Sequence, residues 1–351
     1  MKKMMKQLFL SLVAAMMAIT ATFAQNTLVA TLSHGENISA YYGSFALRDA
    51  MDAAVSGDVI NLSGGAFQAA DITKGITLRG TGIDDAAPTY ISGDFTINVP
   101  TNDANCLSME GIRSTGNITM AGTFNSPYFV KSQFNAFSYN TNAAIKNAMF
   151  VNCKITNYFT MAGTSTSQFI NSYISKFRND GSDNTTASFV NSILSPCTIQ
   201  IIDYGSYRYV YRADLIQRSI LLNCIICING DNNNDYNKLN STSVATNCTC
   251  LGKSNPNVFF SANPANKGCG YSVYAQTFKD FNGEYSDSQT FELTEEAKTW
   301  KGSDGTEMGL YGGYFPYNST PSYPQITKMN VADRSTADGK LSLEVEVSAA
   351  E

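Results

Sequence analysis

Charged residues are scarce in this 351-residue chain. They make up 15% of it, 24 Lys and Arg against 29 Asp and Glu, and the net charge is −5. No Lys/Arg cluster supplies the positive field that attracts phosphate backbones, so nucleic acid is excluded as an expected partner. Asn, Ser, Thr and Gly fill the polar positions instead, which is typical of an uncharged, β-rich surface.

Histidine occurs once, at His34. A Ser-His-Asp triad cannot be built with confidence around it, and we interpret it as a surface or turn residue. Acidic residues are also rare where the chain is most regular, because only Asp180 and Asp183 lie between positions 111 and 200. A glycoside hydrolase needs two carboxylates, so the sequence favours a non-catalytic role.

The N-terminus has the pattern of a secretory signal peptide. Residues 1–6 are basic, Leu8 to Ile19 are almost wholly apolar, and residues 21–24 provide small side chains before a predicted cleavage site at Gln25. The apolar run is too short for a membrane anchor, which is the alternative. We therefore predict a signal peptide at 1–24, and a mature chain that is secreted or held at the cell surface without a transmembrane segment.

A repeat of the form aromatic-x-Asn-x-x-aliphatic runs through the middle of the chain. The three best copies are Phe150-Asn152-Ile155, Phe169-Asn171-Ile174 and Phe189-Asn191-Leu194. Weaker copies contain Asn223 and Asn247. A period near 20 residues is that of one coil of a β-solenoid, in which like side chains stack along the axis. We expect the aromatic and aliphatic columns inside, and the five Asn as an inward ladder whose amides bond neighbouring backbone.

These observations predict an all-β fold, a right-handed parallel β-helix; a β-sandwich is the alternative. A helical pattern from Ser44 to Val55 precedes a strand at Val59–Leu62 and predicts an N-terminal cap. The predicted organisation is a signal peptide at 1–24, a capped β-helix at 25–280, and a C-terminal cap, linker and β-hairpin at 281–351. The hairpin strands are expected at 325–331 and 340–347.

The cap helix followed by Gly57-Asp58-Val59-Ile60-Asn61-Leu62, the segment Ile72–Gly82 and the Asn-centred coils resemble the pectate-lyase-like right-handed β-helix superfamily. More narrowly, the chain is similar to secreted β-helix proteins of gut bacteria. The resemblance covers roughly residues 35–275 and implies the fold alone. Lyases and hydrolases of that superfamily place Asp clusters with Arg or Lys on one exposed face of the coils.

The longest insertion between coils is rich in tyrosine and arginine, which suits sugar recognition by stacking and hydrogen bonding. The residues predicted to bind ligand are Tyr204, Tyr207, Arg208, Tyr209, Tyr211 and Arg212. Alternatively, these tyrosines merely cover a bulged strand. If the chain is an enzyme, a polysaccharide lyase or glycoside hydrolase, its site would use Asp180, Asp183, Asp203, Arg208 and Arg212.

No cofactor is predicted. Asp231, Asn233 and Asp235 begin like a calcium loop, but Tyr236 replaces the turn glycine and Thr242 the final glutamate. The eight cysteines leave three possibilities open: buried thiols, disulfides or zinc. Cys224 and Cys248 share a repeat column with Cys153, Ser172 and Ser192, which favours buried thiols.

The leading hypothesis is a non-catalytic, exported β-helix protein that binds a glycan or another surface partner. The alternatives are the polysaccharide-degrading enzyme above and a structural component of the cell envelope.

Overall fold

The computed structural model describes residues 28–84, 87–179, 182–203, 206–228, 238–252, 259–331 and 343–348. The predicted signal peptide lies outside these ranges. The described chain is a parallel β-helix of about nine turns, so the predicted fold class is confirmed.

Two long sheets form the walls of the β-helix, and strands of successive coils pair in parallel register. Sheet 1 consists, in spatial order, of β2 (Asn37–Tyr42), β1 (Val29–His34), β3 (Val59–Leu62), β5 (Thr77–Arg79), β8 (Ser108–Glu110), β11 (Tyr128–Val130), β14 (Ala148–Val151), β16 (Thr166–Ile170), β18 (Thr186–Val190), β22 (Ser219–Leu222) and β24 (Val244–Thr246). Only β1 pairs antiparallel in this sheet, with β2 and β3.

Sheet 2 faces sheet 1 across the core. It consists of β26 (Gly270–Ser272), β25 (Thr249–Leu251), β23 (Ile225–Cys227), β19 (Ile193–Pro196), β17 (Tyr173–Asn179), β15 (Lys154–Met161), β12 (Gln133–Tyr139), β9 (Ile112–Met120), β6 (Thr89–Ser92) and β4 (Gly65–Gln68), with β7 (Phe95–Ile97) also paired to β9. A third, short parallel pair joins β10 (Thr123–Asn125) to β13 (Ala144–Lys146). Register shifts interrupt the pairing of the longest strands of sheet 2.

The repeated aromatic residues stack inside the coils. The rings of Phe129, Phe150, Phe169 and Phe189 lie 4.7, 4.9 and 4.8 Å apart between centroids and nearly parallel. This separation matches the spacing of paired strands, because each ring is carried by the same position of successive coils. All four side chains are fully buried. The predicted interior aromatic column is therefore confirmed.

A column of small side chains lies beside the rings at one bend. Ser132, Cys153, Ser172 and Ser192 are fully buried there, followed by Cys224 and Cys248. The hydroxyls join adjacent coils, since the backbone N–H of Cys153 donates to Ser172 Oγ at 3.1 Å and that of Ser172 to Ser192 Oγ at 3.2 Å. Serine and cysteine both occur in this column because both are small enough for the bend.

The N-terminal end is closed by a helix at Ala46–Ala53 that buries Ala46, Leu47, Ala50 and Met51 against the first coil. Lys74 stabilises its C-terminus, since Nζ donates to the carbonyls of Met51 at 2.7 Å and Ala54 at 2.6 Å. The predicted cap is therefore present and slightly shorter than the sequence pattern. Antiparallel strands β1 and β2 cover the edge of sheet 1.

The tyrosine-rich insertion forms an antiparallel hairpin, β20 (Thr198–Asp203) with β21 (Ser206–Tyr211). The predicted C-terminal hairpin is also present, as β27 (Gln325–Val331) with β28 (Leu343–Ser348), and it pairs with itself rather than extending either wall. Short helices lie at Ala213–Leu215, Tyr274–Thr277 and Ala297–Thr299.

Residues 281–310, within the predicted C-terminal cap and linker, pack on the outside of sheet 2. Phe281, Phe291, Met308 and Leu310 are buried there against outward-facing side chains such as Ile225. Gly309 has φ +76°, a backbone conformation that suits glycine, and a Cβ at this position would lie only 3.0 Å from Ile225 Cδ1. Glycine at this position therefore fits both the backbone conformation and the close packing on the β-helix.

Candidate functional site

Residues 302–323, which we call the strap, run back along the Asn column from late coils to early ones. Ser303 N donates to Asn223 Oδ1 at 2.9 Å, and Asn171 Nδ2 donates to the carbonyls of Leu310 and Gly312 at 2.7 Å each. Asn152 Nδ2 donates to Pro316 O at 3.4 Å, and Ser322 N donates to Glu110 Oε1 at 2.5 Å.

The five Asn lie in register on successive coils, but they do not form the inward ladder that the sequence suggested. Each has a positive φ, between 46° and 55°, at an outward bend. The inward position is the next residue, Ser or Cys. Asparagine adopts this backbone conformation readily, and the side chains of Asn152, Asn171 and Asn223 bond to the strap. The repeat could not reveal these partners because the strap lies far away in sequence. The column members are Asn152, Asn171, Asn191, Asn223 and Asn247.

A second outward column lies two residues after the Asn column, on sheet 2. Its register runs from Arg113 through Gln133, Lys154 and Tyr173 to Ile193. The C-terminal segment covers the apolar end of this column. The polar end of the column carries Arg113, Gln133 and Lys154. Here the C-terminal segment and the coils enclose a cleft.

The cleft has a volume of about 890 Å³. Its floor includes Asn152 and Lys154, and residues 287–290 form one side. The strap supplies aromatic walls, of which Tyr314 is 90% and Phe315 71% exposed. Concave sites that combine aromatic walls with a few polar groups are the usual form of small-ligand sites.

A hydrogen-bonded cluster holds one wall of the cleft in place. Arg113 Nη2 donates to Asp287 Oδ2 at 2.5 Å, Gln133 Nε2 donates to Asp287 Oδ1 at 3.1 Å, and Tyr285 OH donates to the same oxygen at 3.0 Å. Burial alone would raise the pKa of Asp287, but these donors outweigh it and hold the pKa below its ordinary value. Asp287 is therefore an ionised, fully engaged carboxylate.

Lys154 is the most unusual residue of the cleft. Its side chain is only 5% exposed, its Nζ lies 3.9 Å from Asp84 Oδ2, and it lies 5.4 Å from the ring centre of Tyr317. Burial lowers the pKa of Lys154, while Asp84 and Asp287 offset part of that effect. Lysine is rarely buried without a close partner, so this amine marks a candidate site.

Two buried polar atoms of the cleft, Asn152 Oδ1 and Tyr317 OH, lack hydrogen-bond partners within the described chain. Lys154 Nζ is paired with Asp84 at 3.9 Å, which is longer than a hydrogen bond. Burial raises the pKa of Tyr317. Leaving buried polar groups unpaired costs free energy, so their convergence indicates a place where a ligand completes the hydrogen bonding.

The ligand-binding residues predicted from sequence lie elsewhere. Tyr207, Arg208, Tyr209 and Tyr211 belong to strand β21 of the inserted hairpin, and Tyr204 lies outside the described residues. Arg212 makes a double hydrogen bond to Asp214, with both distances 2.6 Å.

The alternative catalytic residues are not seen to converge. Asp183 is exposed and lies 3.7 Å from Arg218, while Arg212 pairs with Asp214. Asp203 ends strand β20, and Asp180 lies outside the described residues. The calcium-like residues Asp231, Asn233 and Asp235 also lie outside them.

All eight cysteines are free thiols. In the described parts of the chain, no group of three or more His, Cys, Asp or Glu side chains is arranged to hold a metal ion. His34 Nδ1 lies 2.7 Å from Asp58 Oδ1 beside the N-terminal cap, far along the axis from the cleft residues.

No protein-family model, curated protein or solved structure matches this chain. The helices within the described ranges are all too short or too polar to cross a bilayer.

Sequence reasoning missed the cleft, although one signal was present. Two positions after the Asn column, three successive coils carry Arg113, Gln133 and Lys154 where later coils carry Tyr173 and Ile193. A polar run in an otherwise apolar column marks a change of environment. The opposite wall comes from residues 284–319, which the repeat does not include.

Proposed function

We propose that this chain is a non-catalytic protein that acts outside the cell and binds carbohydrate in the Lys154 cleft. The observation that supports it best is the meeting of unpaired polar groups and aromatic rings in one concavity. Aromatic rings such as Phe315 pack on the apolar faces of sugars, and Lys154 and Asn152 can bond sugar oxygens or hydroxyl groups. The export of the chain is inferred from its N-terminal residues.

A glycan array with the full chain tests this proposal. The cleft variants are Lys154→Met and the double variant Tyr314→Ala/Phe315→Ala. The matched control is Tyr42→Ala, an aromatic residue that is 66% exposed on β2 at the N-terminal end. We expect binding to be lost in both cleft variants and kept in the control. Binding that is unchanged in the cleft variants would reject the site.

The inserted hairpin is proposed as a second sugar contact, on the composition of Tyr207, Arg208, Tyr209 and Tyr211. The variant Tyr209→Ala on the same array separates it from the cleft. A loss confined to Tyr209→Ala would move the binding site to the hairpin.

A polysaccharide lyase or glycoside hydrolase is the second candidate. The observation that favours it is the buried amine of Lys154, because a lysine with a lowered pKa can act as a general base. Incubating array-positive polysaccharides with the protein and measuring unsaturated ends and reducing sugars separates the two candidates. Accumulation of either product that disappears in Lys154→Met would favour the enzyme.

We also propose membership of the pectate-lyase-like superfamily and a kinship with secreted proteins of gut bacteria. Support comes from the order cap helix, strand β3 and Asn-bearing parallel coils. This assignment concerns the scaffold alone, because a shared fold does not imply a shared binding site.

A further inference from the structure

We infer that the cleft recognises the acetamido group of an N-acetylated amino sugar. This inference rests on the proposed function, to which it adds the class of ligand. It starts from the donors and acceptors that the cleft leaves unpaired.

The cleft floor carries a donor on Lys154 and an acceptor on Asn152, two residues apart in sequence. Asn152 Nδ2 donates to Pro316 O, which leaves Oδ1 as an acceptor without a partner. Lys154, two residues later and also lining the cleft, has only donors to offer. Cys153 between them is fully buried inside the coil, so both flanking side chains belong to the outer surface.

An acetamido group matches this pair. Its carbonyl oxygen accepts from Lys154 Nζ, and its N–H donates to Asn152 Oδ1. Its methyl group then requires an apolar surface, which the edge-to-face rings of Tyr311 and Tyr317 provide, with centroids 6.1 Å apart. The acetamido group can thus bond to one donor and one acceptor of the cleft and pack its methyl group on the aromatic wall.

A carboxylate matches less well. It has only acceptors, so it would satisfy Lys154 but face Asn152 Oδ1 with another acceptor. Asp84 and Asp287 also line the cleft, and the carboxylate of Asp84 lies 3.9 Å from Lys154 Nζ. Lys131 also lines the cleft, so its lining carries two acidic and two basic side chains. The cleft therefore offers an anion no excess of positive charge, and a neutral ligand loses nothing by comparison.

The test compares four tetrasaccharides by isothermal titration calorimetry with the full chain. N-acetylchitotetraose and cellotetraose share one backbone and differ at the C2 substituent. Deacetylated chitotetraose keeps the nitrogen but loses the acetyl group, and tetragalacturonate supplies carboxylates. We expect N-acetylchitotetraose to bind about ten-fold more tightly than cellotetraose, as one hydrogen bond to a charged group allows.

In the variants Lys154→Met and Asn152→Gly, the ratio of the affinities for N-acetylchitotetraose and cellotetraose should fall close to one. Glycine suits position 152 because φ there is 54°. The matched control is Asn171→Gly, which lies in the same column with φ 46° and, like Asn152, donates to the strap. It should keep the preference, because the ratio of two affinities does not depend on how much protein is folded.

Each other outcome overturns the inference in a distinguishable way. Equal affinity for N-acetylchitotetraose and cellotetraose, with both lost in Lys154→Met, would reject the acetamido and keep the sugar site. Tighter binding of tetragalacturonate would replace the acetamido with a carboxylate. If no tetrasaccharide binds and the array is also negative, the proposed function fails as well.

Discussion

The side-chain amide of Asn171 donates to the backbone carbonyl of Leu310 at 2.7 Å, although 139 residues separate them in sequence. Its other hydrogen bond, to Gly312 O, has the same length. A residue of the repeat is thereby joined to a segment that has no repeat. The Asn column is best understood as the binding surface for the strap.

Replacing Asn171 with glycine should therefore destabilise the protein without straining the backbone. Glycine accepts the φ of 46°, so the loss reports the two amide bonds. We expect a fall of about 1–3 kcal/mol in the free energy of unfolding, measured by urea denaturation. The control is Asn147→Gly, with φ 54° and an exposed side chain, which should change stability by less than about 0.5 kcal/mol. Equal losses in both variants would contradict this role.

The aromatic column should make a large contribution to stability. Phe169 lies between Phe150 and Phe189 at 4.9 and 4.8 Å. Phe169→Ala leaves a cavity on both sides and should cost about 3–5 kcal/mol, measured by urea denaturation. Tyr314→Ala, at a 90% exposed position, is the control and should cost less than about 0.5 kcal/mol. A small effect of Phe169→Ala would mean that the column is loosely packed.

The β-helix could be predicted because its information is local and repeated. Phe150, Phe169 and Phe189 occupy one repeat position, and strand pairing then places each ring on the last. The cap helix and β3 were also foreseen, since helical and strand periodicities change abruptly between Met51 and Val59. The partners of the Asn side chains could not be foreseen, because they lie 80 to 164 residues further along the chain, outside the repeat.

Lys154 should give the protein an alkaline rise in stability. Burial lowers its pKa in the folded state below the ordinary value of 10.5. Between those two values the unfolded chain holds a proton that the folded chain has released, so stability rises with pH there. The variant Lys154→Met lacks this pH-dependent contribution to stability. We expect the stability of the wild type relative to Lys154→Met to increase from neutral pH towards pH 10.5, by urea denaturation.

The control for this comparison is Lys146→Met, an exposed lysine on β13. It measures the effect of replacing an exposed lysine with methionine over the same range. An identical pH trend in the two variants would contradict a buried amine at Lys154.

The contribution of Asp287 to stability should depend on pH in the acidic range. Its donors hold the folded pKa below the ordinary 3.8, so its contribution is present above that value and is lost as the pH falls further. Asp287→Asn should cost about 1 kcal/mol or less at neutral pH, since the carboxylate is 57% exposed and screened by solvent. The difference in stability between Asp287→Asn and the wild type should close on acidification. A gap that persists at low pH would contradict the ion-pair explanation.

The thiols should differ sharply in reactivity. Burial raises the pKa of Cys153 to about 12 and that of Cys250 to about 12, while Cys106 is exposed. We expect Ellman's reagent to label Cys106 rapidly in the native protein and all eight thiols in urea. Cys106→Ser should abolish the fast phase. If several thiols of that variant still react rapidly, the buried column of Ser and Cys side chains must open in the native protein.

The cleft illustrates what a repeat pattern omits. Arg113 and Lys154 can be placed on one face from the register alone. Their position in a cleft depends on Asp287 and Tyr317, which belong to the C-terminal segment. That segment contains no repeat and no motif. The sequence predicted ligand binding in the tyrosine-rich insertion because its Tyr and Arg residues are close together in sequence. The residues that form the cleft are far apart in sequence and meet only in the folded chain.

The strap has a consequence for how the protein unfolds. Stacked repeats contact only their neighbours, so an array of coils tends to fray from its ends. Here one continuous segment bonds Asn223 on a late coil and Glu110 on an early one. Opening the intervening coils must break contacts on both, which joins them into a single cooperative unit.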